Sequence, residues 1–120
     1  MNEILEFLVG HTTQIRLYHW KTTSFSRHKG TDKYLQKIEP IIDAIIESLQ
    51  GGRETRINDS FNANFISITD KNATDYLKRC RYWLENRFPI LLNENETDVL
   101  NLRDEILANL TRLMYIFTLK

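Results

Sequence analysis

Apolar residues recur at helical spacing along most of the chain. Leu5, Leu8, Ile15 and Trp20, with Ile4, Phe7 and Leu17 beside them, predict an amphipathic helix over about residues 2–22. Tyr34, Leu35, Ile38, Ile41, Ile42, Ile45, Ile46 and Leu49 predict a second over about 31–50, with Gly30 or Thr31 at its start and Gly51-Gly52 at its end. Pro40 interrupts that segment and predicts a kink or a restart, because its ring removes a backbone donor and crowds the carbonyl of Gln36. Leu77, Cys80, Leu84 and Phe88 predict a third helix over about 73–88, ended by Pro89. Val99, Leu102, Ile106, Leu110, Leu113 and Phe117 predict a fourth over about 98–118, with Thr97 as its N-cap.

The stretches between these patterns are polar. Thr22–Ser26 is rich in residues that hydrogen-bond their own backbone, and Asn93–Thr97 reads as a turn. Residues 51–73 form the longest irregular stretch, with Phe61, Phe65, Ile66 and Ile68 as apolar points and a short strand or helical turn expected near Phe65–Ile68. An irregular connection of that length in a small domain is usually functional or lies between subunits. Four amphipathic helices with one long middle connection predict an all-α, ferritin-like four-helix bundle, with the crossover between helices 2 and 3.

Composition narrows the function. The chain has 120 residues, enough for one domain spanning 1–120. Its 16 basic and 16 acidic residues cancel, which argues against an electrostatic nucleic-acid binder. Its single cysteine, Cys80, excludes an internal disulfide and a multi-cysteine zinc site. The first residues carry acids where a signal peptide carries Lys or Arg, and no apolar run is long enough for a membrane span. The expected setting is therefore the cytoplasm. The four glycosylation-type triplets at Asn58, Asn72, Asn95 and Asn109 then read as chance matches.

The second helix carries a polar stripe. Asp32, Gln36, Glu39, Asp43 and Glu47 recur at steps of four, three, four and four, and so share a face. Asp32 and Asp43 differ by only about 20° around the helix. His28 stands four residues before Asp32, and His19 closes the first helix beside Trp20. Two imidazoles and three carboxylates suit a transition metal with mixed nitrogen and oxygen preference, such as iron. Asp32 and Asp43 are about 16 Å apart along the axis, too far to share one ion within a chain. A single site would need an antiparallel two-fold mate, setting His28 and Asp32 of one copy against Asp43 and Glu47 of the other. The plainer reading of the same stripe is a solvated helix face.

His19-Trp20, His28-x3-Asp32 and Asp43-x3-Glu47 resemble the ligand pattern of the Dps mini-ferritins. From His28 to Glu47 all four positions keep that family's spacing. The resemblance covers residues 1–50, and the remainder matches only as a helix pair. It implies a ferritin-like bundle, homo-oligomeric and at least dimeric. The implied ferroxidase site at the two-fold interface takes His19, His28 and Asp32 from one chain and Asp43 and Glu47 from its mate. It implies that Fe(II) is oxidised there by peroxide or dioxygen and stored, with Trp20 near the metal taking up oxidising equivalents. The linker between the two histidines is three residues shorter than the family's usual one, so the reach of His19 is the weak point of the match. The chain is also shorter than a typical subunit and lacks the Lys-rich N-terminal extension. In size it is similar to compact ferritin-like proteins of phages and large viruses. The alternative is a non-catalytic ferritin-like bundle that works through protein contacts as a viral accessory or regulatory protein. The Glu-x-x-His motif of other di-iron bundles is absent, since Leu8, Arg16 and Phe25 precede the three histidines by three.

The remaining chemistry-bearing residues read as structural. His11 is expected to be exposed or at an interface, and Cys80 to be a buried structural thiol. Tyr76, Tyr82, Trp83 and Tyr115 are expected in the core or an interface, and Lys78-Arg79-Cys80-Arg81 to be solvated surface.

Overall fold

A computed structural model describes residues 1–119 and is helical, with no strand among them. Helix α1 spans Asn2–Lys21, α2 Phe25–Arg53, α3 Ala73–Tyr82 and α4 Thr97–Ile116. Helix α3 continues through a π turn, Trp83–Arg87, and a 3-10 turn, Phe88–Leu91, so the chain stays coiled two residues past Pro89.

The second helix differs most from its sequence pattern. It starts at Phe25, because Ser24 is the cap: its hydroxyl accepts the Arg27 N–H at 3.3 Å. Only Thr22–Ser24 separates α1 from α2, and the segment around His28 is helix rather than turn. Gly30 and Thr31, expected at the cap, are buried inside α2. A Cβ on Gly30 would stand 2.9 Å from Cγ2 of Ile116, so this glycine is what lets α2 and α4 approach. The helix runs through Pro40 unbroken. Pro40 is exposed, where a lost backbone bond is least costly, while Ile38 and Ile45 on either side are fully buried. It also runs through Gly51-Gly52 to Arg53 and is capped by Glu54 in the left-handed region, at φ 51°.

Side-chain bonds at the two ends give the helix directions. Tyr18 of α1, Thr22 just after it and Arg27 of α2 meet Asp70, just before α3, and Arg27 also reaches the carbonyl of Phe117 after α4. At the other end Glu3 pairs with Arg87, and Arg53 with Glu96. Helices α1 and α4 therefore run one way, α2 and α3 the other, and residues 55–72 climb the length of the bundle between α2 and α3. Helix α2 packs between α1 and α4, and α3 packs on α4.

The core is mostly aliphatic, with Tyr18 and Phe88 its largest fully buried side chains, and is drawn from every helix. Ile4, Leu8, Ile15, Ile38, Leu49, Leu77, Leu84, Ile106 and Leu110 are all buried. Trp20 departs from its place in the first apolar stripe and lies on the surface, 68% exposed, with Leu17 also exposed. The crossover forms no strand near Phe65–Ile68. Ile68 is buried, and the backbone of Ile66 is held instead by the side chain of Gln14, whose amide donates to the carbonyl at 3.1 Å and accepts the N–H at 2.7 Å.

Candidate metal centre at the helix corner

The tight three-residue corner brings His19 and His28 together. Their rings stack with centroids 4.1 Å apart and planes 14° from parallel. His19 donates its Nδ1–H to the backbone carbonyl of His28 at 2.8 Å, with the Thr31 hydroxyl oxygen also in range at 2.9 Å. His28 donates its Nδ1–H to the carbonyl of His19 at 2.9 Å. Thr31 is fully buried and turns its own proton to the Arg27 carbonyl at 2.7 Å, which leaves its oxygen free to accept. A carbonyl can only accept, so both rings carry a proton on Nδ1, and the neutral form of each leaves the Nε2 lone pair open. That is the tautomer a metal-ligating imidazole adopts when a backbone carbonyl orients it. The shortened linker does not separate the histidines; it clasps them.

The carboxylates are dispersed. Asp32, one turn after His28, is half-buried and accepts a hydrogen bond from Gln36 at 3.1 Å. Asp43 and Glu47 lie further along the same face of α2, exposed and without an ion-pair partner among the described residues. Glu39 of the stripe meets Arg16 of α1 at 3.5 Å. No group of three metal-binding side chains converges within the described residues of one chain. Trp20 adjoins a shallow cleft with Leu17, Arg16 and Glu39, beside the polar face of α2.

A second polar cluster lies inside the bundle, and sequence reasoning misplaced its centre. His11 is buried, not exposed: one ring nitrogen meets the Tyr34 hydroxyl at 2.7 Å, the other the Tyr76 hydroxyl at 3.0 Å and the Cys80 sulfur at 3.4 Å. Burial holds the imidazole neutral, down at about pH 4, and pushes the Cys80 thiol up to about 11. Burial also raises both phenols above their ordinary range. The signal was present in the spacing. His11 stands three after Leu8 and four before Ile15, on the apolar stripe, and Thr31 stands four before Leu35.

Residues 19–117 match the model of a family described as of unknown function, DUF5856. The chain belongs to that family. The matched residues begin at His19 and take in the helix corner, the whole of α2, the crossover and the α3–α4 pair. No curated protein and no solved structure matches the chain.

Proposed function

We propose that the protein is a Dps-like iron-binding ferroxidase of the cytoplasm, with ferritin-like architecture and a site completed by two copies of the chain. The observation that carries this reading is the His19–His28 clasp, which holds two imidazoles in the ligating tautomer beside Asp32. One chain supplies too few ligands. Asp43 and Glu47 are about 16 Å and about 22 Å along α2 from Asp32, beyond the reach of a common ion. An antiparallel two-fold pairing of α2 sets them opposite the clasp of the second copy and forms two equivalent sites. Val9, Leu17 and Trp20, all exposed, fall within about 80° of arc on α1 and offer apolar area for that contact. The one long crossover and the directions of the four helices support the ferritin-like assignment. Fe(II) is the substrate, bound by the mixed nitrogen and oxygen donors and oxidised by dioxygen or peroxide.

The test is Fe(II) oxidation by purified protein, measured with solution mass. The expected result is a dimer or larger assembly that binds and oxidises Fe(II), and an Asp43→Ala/Glu47→Ala variant that folds but does neither. A monomer without Fe(II) uptake, or a variant indistinguishable from the parent, would sink the proposal. The second reading, a non-catalytic bundle acting through protein contacts, draws on the outward Trp20 and on the absence of a three-ligand cluster among the described residues. It predicts no iron uptake and a stoichiometric protein partner on the Trp20 face.

A further inference from the structure

Helices α1 and α3 line an open cavity of about 310 Å³, which Asn64 and Ile66 of the crossover also border. It lies on the α1–α3 face, whereas the histidine clasp sits at the α1–α2 corner. Its size is at the small end of ligand pockets, suited to a molecule of amino-acid dimensions. Three features set it apart from an ordinary groove. The π turn begins at Trp83, which stacks face to face on Phe7 with centroids 3.9 Å apart, and both rings line the cavity. Such turns are rare and concentrate at functional sites. Gly10 lies mid-helix on the cavity wall with nothing within 4 Å of a Cβ, so neither packing nor backbone angle calls for glycine there. Only proline is a poorer residue in a helix interior, and a long side chain at this position would project into the cavity. Finally, Glu6 and Arg79 both reach the cavity, yet neither makes an ion pair or a side-chain hydrogen bond among the described residues. The interior polar wall, by contrast, is already satisfied, because His11, Tyr76 and Cys80 bond one another and Gln14 bonds Ile66.

We propose that this cavity binds a free aromatic amino acid, its ring against the Phe7–Trp83 pair, its carboxylate at Arg79 and its ammonium at Glu6. An apolar slot with one unpaired cation and one unpaired anion at its mouth complements a zwitterion carrying a flat ring. It favours that species over a purely apolar or singly charged one. The site stands whether or not the chain handles iron.

Isothermal titration of the full chain with L-tryptophan, tryptamine, indole-3-propionate and indole tests it. L-Tryptophan is expected to bind at one site per chain. Tryptamine and indole-3-propionate, each lacking one charge, should bind up to about fivefold more weakly, the scale of an exposed charge contact. Arg79→Gln should erase the preference for L-tryptophan over tryptamine, and Glu6→Gln that over indole-3-propionate. Gly10→Leu should fill the cavity and abolish binding while keeping helical content and a melting temperature no lower than the parent's. No saturable L-tryptophan binding, equal binding of indole, or binding unchanged in a folded Gly10→Leu variant would overturn the proposal. Arg79→Gln alters only an exposed residue, so the charge arm decides the matter even if Gly10→Leu fails to fold.

Discussion

Arg53 and Glu96 form a two-pronged ion pair that ties the end of α2 to the start of α4, with Nε to Oε2 at 2.8 Å and Nη2 to Oε1 at 2.7 Å. Arg53 also donates to the Leu91 carbonyl at 3.0 Å, and Glu96 accepts the Asn93 N–H at 2.7 Å. This explains why α2 passes its two glycines and ends only at Arg53. It also explains why Glu96 sits at the N-cap of α4 without capping it, since its carboxylate is already engaged. Both side chains are largely buried, so removing one partner strands a charge. Arg53→Met is expected to lower unfolding free energy by about 2–3 kcal/mol, and Arg53→Met/Glu96→Leu to recover part of that loss. Urea denaturation of the three proteins measures it.

Acid should destabilise the protein in two separable steps. His11 is neutral when folded, with its pKa lowered from 6.5 to about 4, while the unfolded imidazole takes up a proton near 6.5. Its contribution is complete above that value and is lost as pH falls from 6.5 towards 4, by up to about 3 kcal/mol. Asp70 titrates lower. Hydrogen bonds from Thr22 and Tyr18 hold its carboxyl at about 2, against an ordinary 3.8, so its stabilisation is present above about 4 and lost as pH falls towards 2. Denaturation midpoints from pH 7.5 to 2 should show both phases. Asp70→Asn should lose about 1 kcal/mol at neutral pH and reduce the acid phase below pH 4. Unchanged stability between pH 7 and 4.5 would contradict the buried neutral His11.

Gln14 is the strap of the crossover. Gln14→Ala leaves the Ile66 N–H and carbonyl without their partner, and should lower global stability by only about 1 kcal/mol. The larger effect should be local, with faster amide exchange at Ile66 and new proteolytic cuts within residues 55–72. Exchange mass spectrometry with limited proteolysis reads both. No local change would mean the crossover is held by its other contacts, among them Ile68, Asp70, the Lys21–Ser67 bond and the Gln50–Ile57 bond.

Two helix-interior glycines should respond with opposite sign. Gly10→Ala meets open space and should stabilise by up to about 1 kcal/mol through helix propensity. Gly30→Ala gains the same propensity but drives its methyl to 2.9 Å from Ile116, and should destabilise by about 1–2 kcal/mol net. Ile116→Ala should relieve that clash. Thermal melts of the set decide it.

The four helices and most of their inward faces were legible in the sequence, because a 3.6-residue period records which side of each helix faces the core. Leu77, Cys80, Leu84 and Phe88 are buried as their spacing predicts. Boundaries were less legible where distant partners decide them: Ser24 caps α2 six residues before the apolar run suggests, and Arg53 extends it by bonds to Leu91 and Glu96. The candidate ligands were legible as residues, through the spacing of His19, His28, Asp32, Asp43 and Glu47, but not their arrangement. By itself the sequence determined a helical chain with an acidic stripe on α2 and two histidines at a corner. Only the tertiary structure decided that the histidines clasp each other, that His11 goes inside and that Trp20 stays out. Helical period is a local property, whereas hydrogen-bond partners and burial depend on residues brought together from 9 to 90 positions apart along the chain.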